Sequence, residues 1–203
     1  MDDEKKVPEI RLEGFMGAWD SHVLGEIVDV RDGTHESPQF HQTGYPLVTS
    51  KNLTEYGLDM ADVQFISKED FDSINLRSGV EVGDIIFAMI GTIGNPVIIE
   101  RADFAIKNVA LLKSCGRLNN HFLLNNLKSS AFKDYVQLEN VGNTQKFLSL
   151  GKIREYSFLA PDKCEQTAIG SFFYSLDTLI TAQREELEKL QNIKSACLSK
   201  MLI

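Results

Sequence analysis

The side chains best able to do chemistry in this 203-residue chain are few and poorly grouped. His35 and His41 lie six apart in a Gly- and Pro-flanked stretch and could hold a metal ion or act as bases. No Cys or carboxylate cluster with ligand spacing accompanies them, so no metal site is expected. Cys115, Cys164 and Cys197 are odd in number, widely spaced and without a CxxC pair, which predicts three reduced thiols and neither a disulfide nor a zinc framework. Gly91 and Gly94 do not complete GxGxxG and stand between two strand-like runs, so they read as a turn rather than a phosphate cradle. Gly151-Lys152-Ile153 lacks the hydroxyl that holds Mg²⁺ in a P-loop. Pro8, Pro38, Pro46, Pro96 and Pro161 are never adjacent, which removes the Pro-Pro-aromatic grip of an amino-methyltransferase on a flipped base. Pro161-Asp162 is not followed by the Asp/Glu-x-Lys of a Mg²⁺ nuclease. No catalytic set emerges, and the chain reads as a non-enzyme.

The elements that would carry any other function come next. Hydrophobic residues make up 43% and charged residues 25%, so most of the chain should fold. The longest apolar run, Ile85 to Ile90, falls far below the roughly 18 residues of a spanning helix. The start, Met1-Asp2-Asp3-Glu4, is acidic where a signal peptide is basic. The reading is a cytoplasmic protein. Its net charge of −8 argues against a nucleic-acid partner until the charge is resolved along the chain. Residues 101–154 hold nine basic and three acidic side chains, a net of +6, while every other stretch is acidic. Arg101, Lys107, Lys113, Arg117, Lys128, Lys133, Lys146, Lys152 and Arg154 could therefore form a local phosphate-facing surface, or simply a solvated face.

Pro161-Asp162 is the clearest break. Asp162 can cap a helix, with Glu165 three residues on to complete a capping box. Ile169, Phe173, Leu176, Ile180, Gln183, Leu187, Leu190, Lys194, Cys197 and Met201 then follow alternating steps of four and three, a heptad seam. Gln183 and Lys194 are polar interruptions of the kind that fix register. Forty-two residues of helix run about 63 Å, longer than a compact body can cover, so a partner helix is implied. Residues 1–161 read as mixed α/β, making the fold class α+β with a long C-terminal coiled-coil helix over 162–203. Strands are expected at 45–49, 84–90 and 96–99, the last two joined by a hairpin at 91–95. Further expectations are a strand at 104–112, a helix from Asn119 through about Leu138, a short helix at 150–155 and a strand at 156–160.

In order, Pro8-Glu9-Ile10-Arg11, Gly14-Phe15, Ala18-Trp19, Leu24-Gly25-Glu26-Ile27 and Asp32-Gly33-Thr34-His35-Glu36-Ser37-Pro38 lead into Val48-Thr49-Ser50-Lys51-Asn52-Leu53. Gly83-Asp84-Ile85-Ile86, Gly91-Thr92-Ile93-Gly94, Asn108-Val109-Ala110 and Gly142-Asn143-Thr144-Gln145-Lys146-Phe147 follow, and the heptad helix with Glu165-Gln166 and Leu176-Asp177 closes the set. Together these segments resemble the specificity subunit of type I restriction-modification systems over nearly the whole chain. The resemblance implies a target recognition domain, 1–161, that reads one half of a split double-stranded DNA sequence, and a helical spacer, 162–203. It also implies that methylation with S-adenosylmethionine, and any ATP- and Mg²⁺-dependent cleavage, belong to methyltransferase and restriction subunits, with no cofactor in this chain. A full subunit carries two recognition domains and two spacers. One of each here means a half-size subunit that homodimerises or a fragment, and the homodimer is the reading taken.

On that resemblance, base readout falls to polar loops: Thr34 and His35; Ser50, Lys51 and Asn52; Thr92 and Asn95; and Asn143, Thr144, Gln145 and Lys146, with Lys107 toward phosphate. The dimer seam would use Ile169, Phe173, Leu176, Ile180, Gln183, Leu187, Leu190 and Lys194. A coiled-coil scaffold with a protein- or ligand-binding N-terminal domain is the competing reading. It accounts for the helix and the acidity but not for the basic stretch.

Overall fold

The computed structural model describes residues 7–114, 116–141 and 146–202. Chain order runs β1 (Asp20–Val23), α1 (Leu24–Ile27), β2 (Val30–Asp32), β3 (Tyr45–Val48), β4 (Leu53–Thr54), β5 (Gly57–Leu58), β6 (Gln64–Ile66) and α2 (Lys68–Ser78). It continues β7 (Ile85–Ala88), β8 (Gly94–Ile98), β9 (Ala105–Ile106), β10 (Val109–Leu112), α3 (Asn120–Lys128), α4 (Ser130–Glu139), α5 (Leu150–Glu155), β11 (Ser157–Ala160) and α6 (Lys163–Met201).

A four-stranded antiparallel sheet, β2-β10-β7-β8, forms the centre of the α/β body. Every residue of β7 and β10 is buried, because both faces of the sheet are covered. Successive side chains point to opposite faces. Ile85, Phe87, Met89, Ala110 and Leu112 meet α1, α3, α4 and α5, where Phe122, Leu123, Leu127, Phe132, Ile153 and Tyr156 complete the larger core. Ile86, Ala88, Val109 and Leu111 meet Val48, Leu53, Ile99, Phe104 and Ile106 on the other side. Strands β6-β3-β9 make a second sheet, in which β3 and β9 are parallel.

Two expected elements are broken. The run 104–112 is two strands in different sheets, divided at Asn108, whose φ of 57° lies in the left-handed region that ends a strand. The helix expected over 119–138 is two, because Ser129 leaves helical geometry and accepts from Phe132 N to cap α4, while Asn119 caps α3. The 150–155 helix, the 85–88 and 94–98 hairpin strands and the strand before Pro161 stand where expected.

Helix α6 begins at Lys163 with Asp162 accepting from the amides of Cys164 and Glu165. At 39 residues it is about 58 Å long. Glu165 does not close a capping box. Its carboxylate, 1% exposed, takes a bidentate pair from Arg11 at 2.8 and 2.6 Å. Ile169 packs on the body's own core, so the open seam starts at Phe173. From Ser171 onward every described residue of the helix is exposed, Leu187 and Leu190 at 55% and 57%. Cys164 and Cys197 are free and exposed; Cys115 lies outside the described residues. Among the described residues no helix is long and apolar enough to cross a membrane.

Candidate nucleic-acid interface

Hydrogen bonds between chain segments far apart in sequence bring the polar loops together in series. Thr34 N donates to Ile106 O, and Asn108 N donates back to Thr34 O. Lys107 N donates to Val48 O, which places Thr49 to Asn52 beside the Thr34 loop. Asn95 Nδ2 donates to Leu53 O at 3.0 Å, and Gly91 N donates to Lys146 O. The loops at 34–37, 48–53, 91–95, 106–108 and 146–147 thus form one connected edge. Gly33 is fixed by this closeness, since a Cβ there would stand 2.4 Å from Ile106 O.

The expected residues divide within that edge. Lys51, Thr92 and Lys146 are exposed, and Ser50 is half-buried. Lys107 Nζ donates to Ser37 Oγ at 2.7 Å. Asn52 is turned inward and 6% exposed; its amide accepts from Thr49 N and Oγ1 and donates to Asp59 O, so its readout capacity is spent inside the fold. Asn95, at φ 51°, uses its side chain to brace the hairpin. Asn143, Thr144 and Gln145 lie outside the described residues.

His35 sits in a cluster that sequence alone did not assemble. Its Nδ1 is 2.7 Å from Asn108 Oδ1 and its Nε2 2.8 Å from Asp32 Oδ2, with Arg77 paired to the other Asp32 oxygen. Two facing acceptors favour the doubly protonated ring, and the bonds to Asn108 and then Asp32 raise its pKa above the ordinary value. Arg77 left no signal in the sequence, whereas Asp32 opens the 32–38 segment on which the family resemblance partly rests. Asn108 left one, as an Asn inside an otherwise strand-like apolar run.

Much of the basic stretch is spent on structure. Lys113 pairs with buried Asp84 at 2.6 Å, Arg101 with Asp103, and Lys152 with Glu139 and Glu155. Arg154 donates to Val30 O and Arg117 to Glu26 O. Lys51, Lys133 and Lys146 have no ion-pair partner among the described residues. Lys128, Lys133, Lys146 and Arg184, with Thr92, line a cleft of about 670 Å³ between the 91–95 loop and α6, opposed by Glu55 and Asp177. The cleft is therefore cationic despite the acidic chain.

A model of the type I restriction modification DNA specificity domain matches residues 16–192. No curated protein matches the chain in sequence. Among solved structures, the type I restriction-modification S subunit from M. genitalium superposes with a TM-score of 0.64 at 14% identity, over 95% of this chain and 48% of that one. The HsdS subunit from Thermoanaerobacter tengcongensis gives 0.58 at 18%, over 96% and 46%. A chain from a study of assembly and conformational transition of the type I R-M system gives 0.62 at 19%, over 95% and 47%. At these identities the likeness is one of fold, and this chain spans about half the length of each. With its α/β body and the long helix as far as residue 192 inside the matched span, the chain belongs to the type I restriction-modification DNA specificity domain family.

Proposed function

We propose that this chain reads one half of a bipartite double-stranded DNA target for a type I restriction-modification enzyme and catalyses nothing itself. The connected edge of polar loops carries the reading. It gathers donors and acceptors from five separated segments onto one surface, beside a cationic cleft, in a member of a DNA specificity family. Phosphate contacts fall to Lys51, Lys107, Lys133 and Lys146, and base contacts to Thr34, Ser50, Thr92, Asn143, Thr144 and Gln145. The second half-site is read by a second copy, joined through the exposed heptad face of α6 from Phe173 onward. Two-fold symmetry then makes the target an interrupted palindrome. Methyltransferase subunits dock on this assembly and bring S-adenosylmethionine; a restriction subunit, where it joins, brings ATP and Mg²⁺. The cytoplasm is the compartment where such an assembly meets the genome.

Selection of random duplexes by the full chain with its methyltransferase partners, followed by sequencing, tests the proposal. Enrichment of a palindrome interrupted by a fixed gap supports it. Enrichment of no motif, with a protein partner recovered instead, would favour the scaffold reading.

A further inference from the structure

The first turns of α6 are locked to the α/β body. Arg11 grips buried Glu165, Gln166 accepts from Asn119 N and donates to Pro161 O, and Gly170 lies so close to α3 that a Cβ would meet Asn119 Oδ1 at 2.5 Å. Further along, Tyr174 meets the His121 ring with centroids 4.9 Å apart and Asp177 lies 3.6 Å from Lys128 Nζ, an exposed pair. A root that ends at Asp177, about four turns in, is still a short support for a 58 Å lever. From Asp177 to Met201 the helix runs about 36 Å, so a tilt of about 6° moves its end by about 4 Å, more than the 3.4 Å rise of a base pair. Holding a gap to one base pair needs a second support away from the root.

One is present. The Arg184 guanidinium carbon sits 3.9 Å from the centroid of the Tyr56 ring, about 21 Å along the helix from Gly170. Tyr56 is the tip of the β4–β5 hairpin, is 71% exposed, and has nothing of its own hairpin to bury it. The hairpin is stiff, with Thr54 Oγ1 donating to Gly57 O and accepting from Tyr56 N. Its base is tied to the polar edge through Asn95 and Leu53 O. The contact therefore joins the helix directly to the loops that face DNA.

We propose that Tyr56 and Arg184 form a strut that fixes the angle between the α/β body and α6, and so act as positioning residues for half-site spacing, a claim that rests on the DNA-reading function proposed above. Neither touches a base. Their removal loosens the gap and leaves the half-sites alone.

Two measurements on the full chain test this. In the first, spin labels at Ser199→Cys, off the heptad seam, and at Glu69→Cys on α2, with Cys115, Cys164 and Cys197 changed to Ser, report the helix angle by electron–electron distance, the labelled chain being diluted into unlabelled protein. The Tyr56→Ala and Arg184→Gln variants should broaden or shift the distance distribution by several ångströms, while Tyr56→Phe, which keeps the ring, should match the unmutated chain. In the second, duplexes with the selected half-sites at gaps one base pair longer or shorter are compared by anisotropy, with the methyltransferase partners present as in the selection. Tyr56→Ala should reduce the preference for the native gap by about two- to fivefold, the factor an exposed cation–π contact supports, with half-site discrimination unchanged. Distance distributions identical to the unmutated protein would overturn the strut. Broadened distances with an unmoved gap preference would overturn its role in spacing. Absence of selective DNA binding by the unmutated chain assembled with its methyltransferase partners, whatever the distances, would bring down the DNA-reading function and the spacing claim with it.

Discussion

Replacing Leu187 and Leu190 by Asp tests whether the outer half of α6 is an interface. Both lie on the heptad seam beyond the last contact with the body at Arg184, with 55% and 57% of their surface open. Complete burial of a leucine is worth about 1.5–3 kcal/mol, and slightly more than half remains to be gained, so each contributes about 0.8–1.7 kcal/mol on association. A two-fold dimer buries four of them, giving about 3–7 kcal/mol, or a dissociation constant weakened by roughly 10² to 10⁵. The buried carboxylates add to this cost. Sedimentation equilibrium at micromolar concentration should show a dimer for the unmutated chain and a monomer for the variant. A thermal melt of the α/β body should be little changed, because neither leucine touches it. A monomeric unmutated chain, or a variant that associates as well as its parent, would refute the seam as the dimer contact.

Lys113→Met should destabilise the body by about 3–5 kcal/mol in urea unfolding, since among the described residues it leaves the fully buried Asp84 carboxylate with only the amides of Glu81 and Ser114. His35→Gln should show a pH-dependent loss. The ring's pKa is raised in the fold, so its stabilisation is full below the ordinary value of 6.5 and fades as pH climbs through the folded value. Melts of variant and parent should therefore differ more at about pH 5.5 than at about pH 8.5; an equal difference at both would remove the imidazolium from the cluster. Seven residues inserted after Glu186 keep the heptad in phase, leave the Tyr56 strut in place and lengthen each helix by about 10 Å. The selected gap should grow by at most about 3 base pairs with the half-sites unchanged, as read by repeating the random-duplex selection.

Elements whose signal is local were legible in the sequence. The long helix under the heptad, its Asp162 cap and the apolar runs of β7 and β8 are all short-range patterns; the helix, the cap and both strands are present, the second strand starting two residues early at Gly94. Helix α2 was missed because only Phe71 and Ile74 of its apolar residues pack inward, against Leu47, Ile66 and Ala105, while Leu76 is exposed and the buried Ser78 is polar, which is too little to write an apolar period. Its signal was Ser67, whose hydroxyl accepts from Asp70 N. Ser129 carried the same cue between α3 and α4, but the apolar spacing continues in phase from Phe122 to Tyr135 and hides the break.

The candidate edge was legible residue by residue but not as a surface. Counting charges marks 101–154 as basic, yet a count cannot tell Lys113, which neutralises Asp84, from Lys133, which faces the cleft. That difference depends on partners up to 124 residues away, as with Arg154 on Val30 O. The same holds for the helix. Its length follows from its own periodicity, but its direction is set by Arg11 on Glu165, 154 residues apart, and by Tyr56 on Arg184. A protein that measures distance along DNA needs both quantities. Only the length is encoded where the helix is encoded, so spacing should respond to substitutions at Tyr56, in a part of the chain that contributes no residue to the helix.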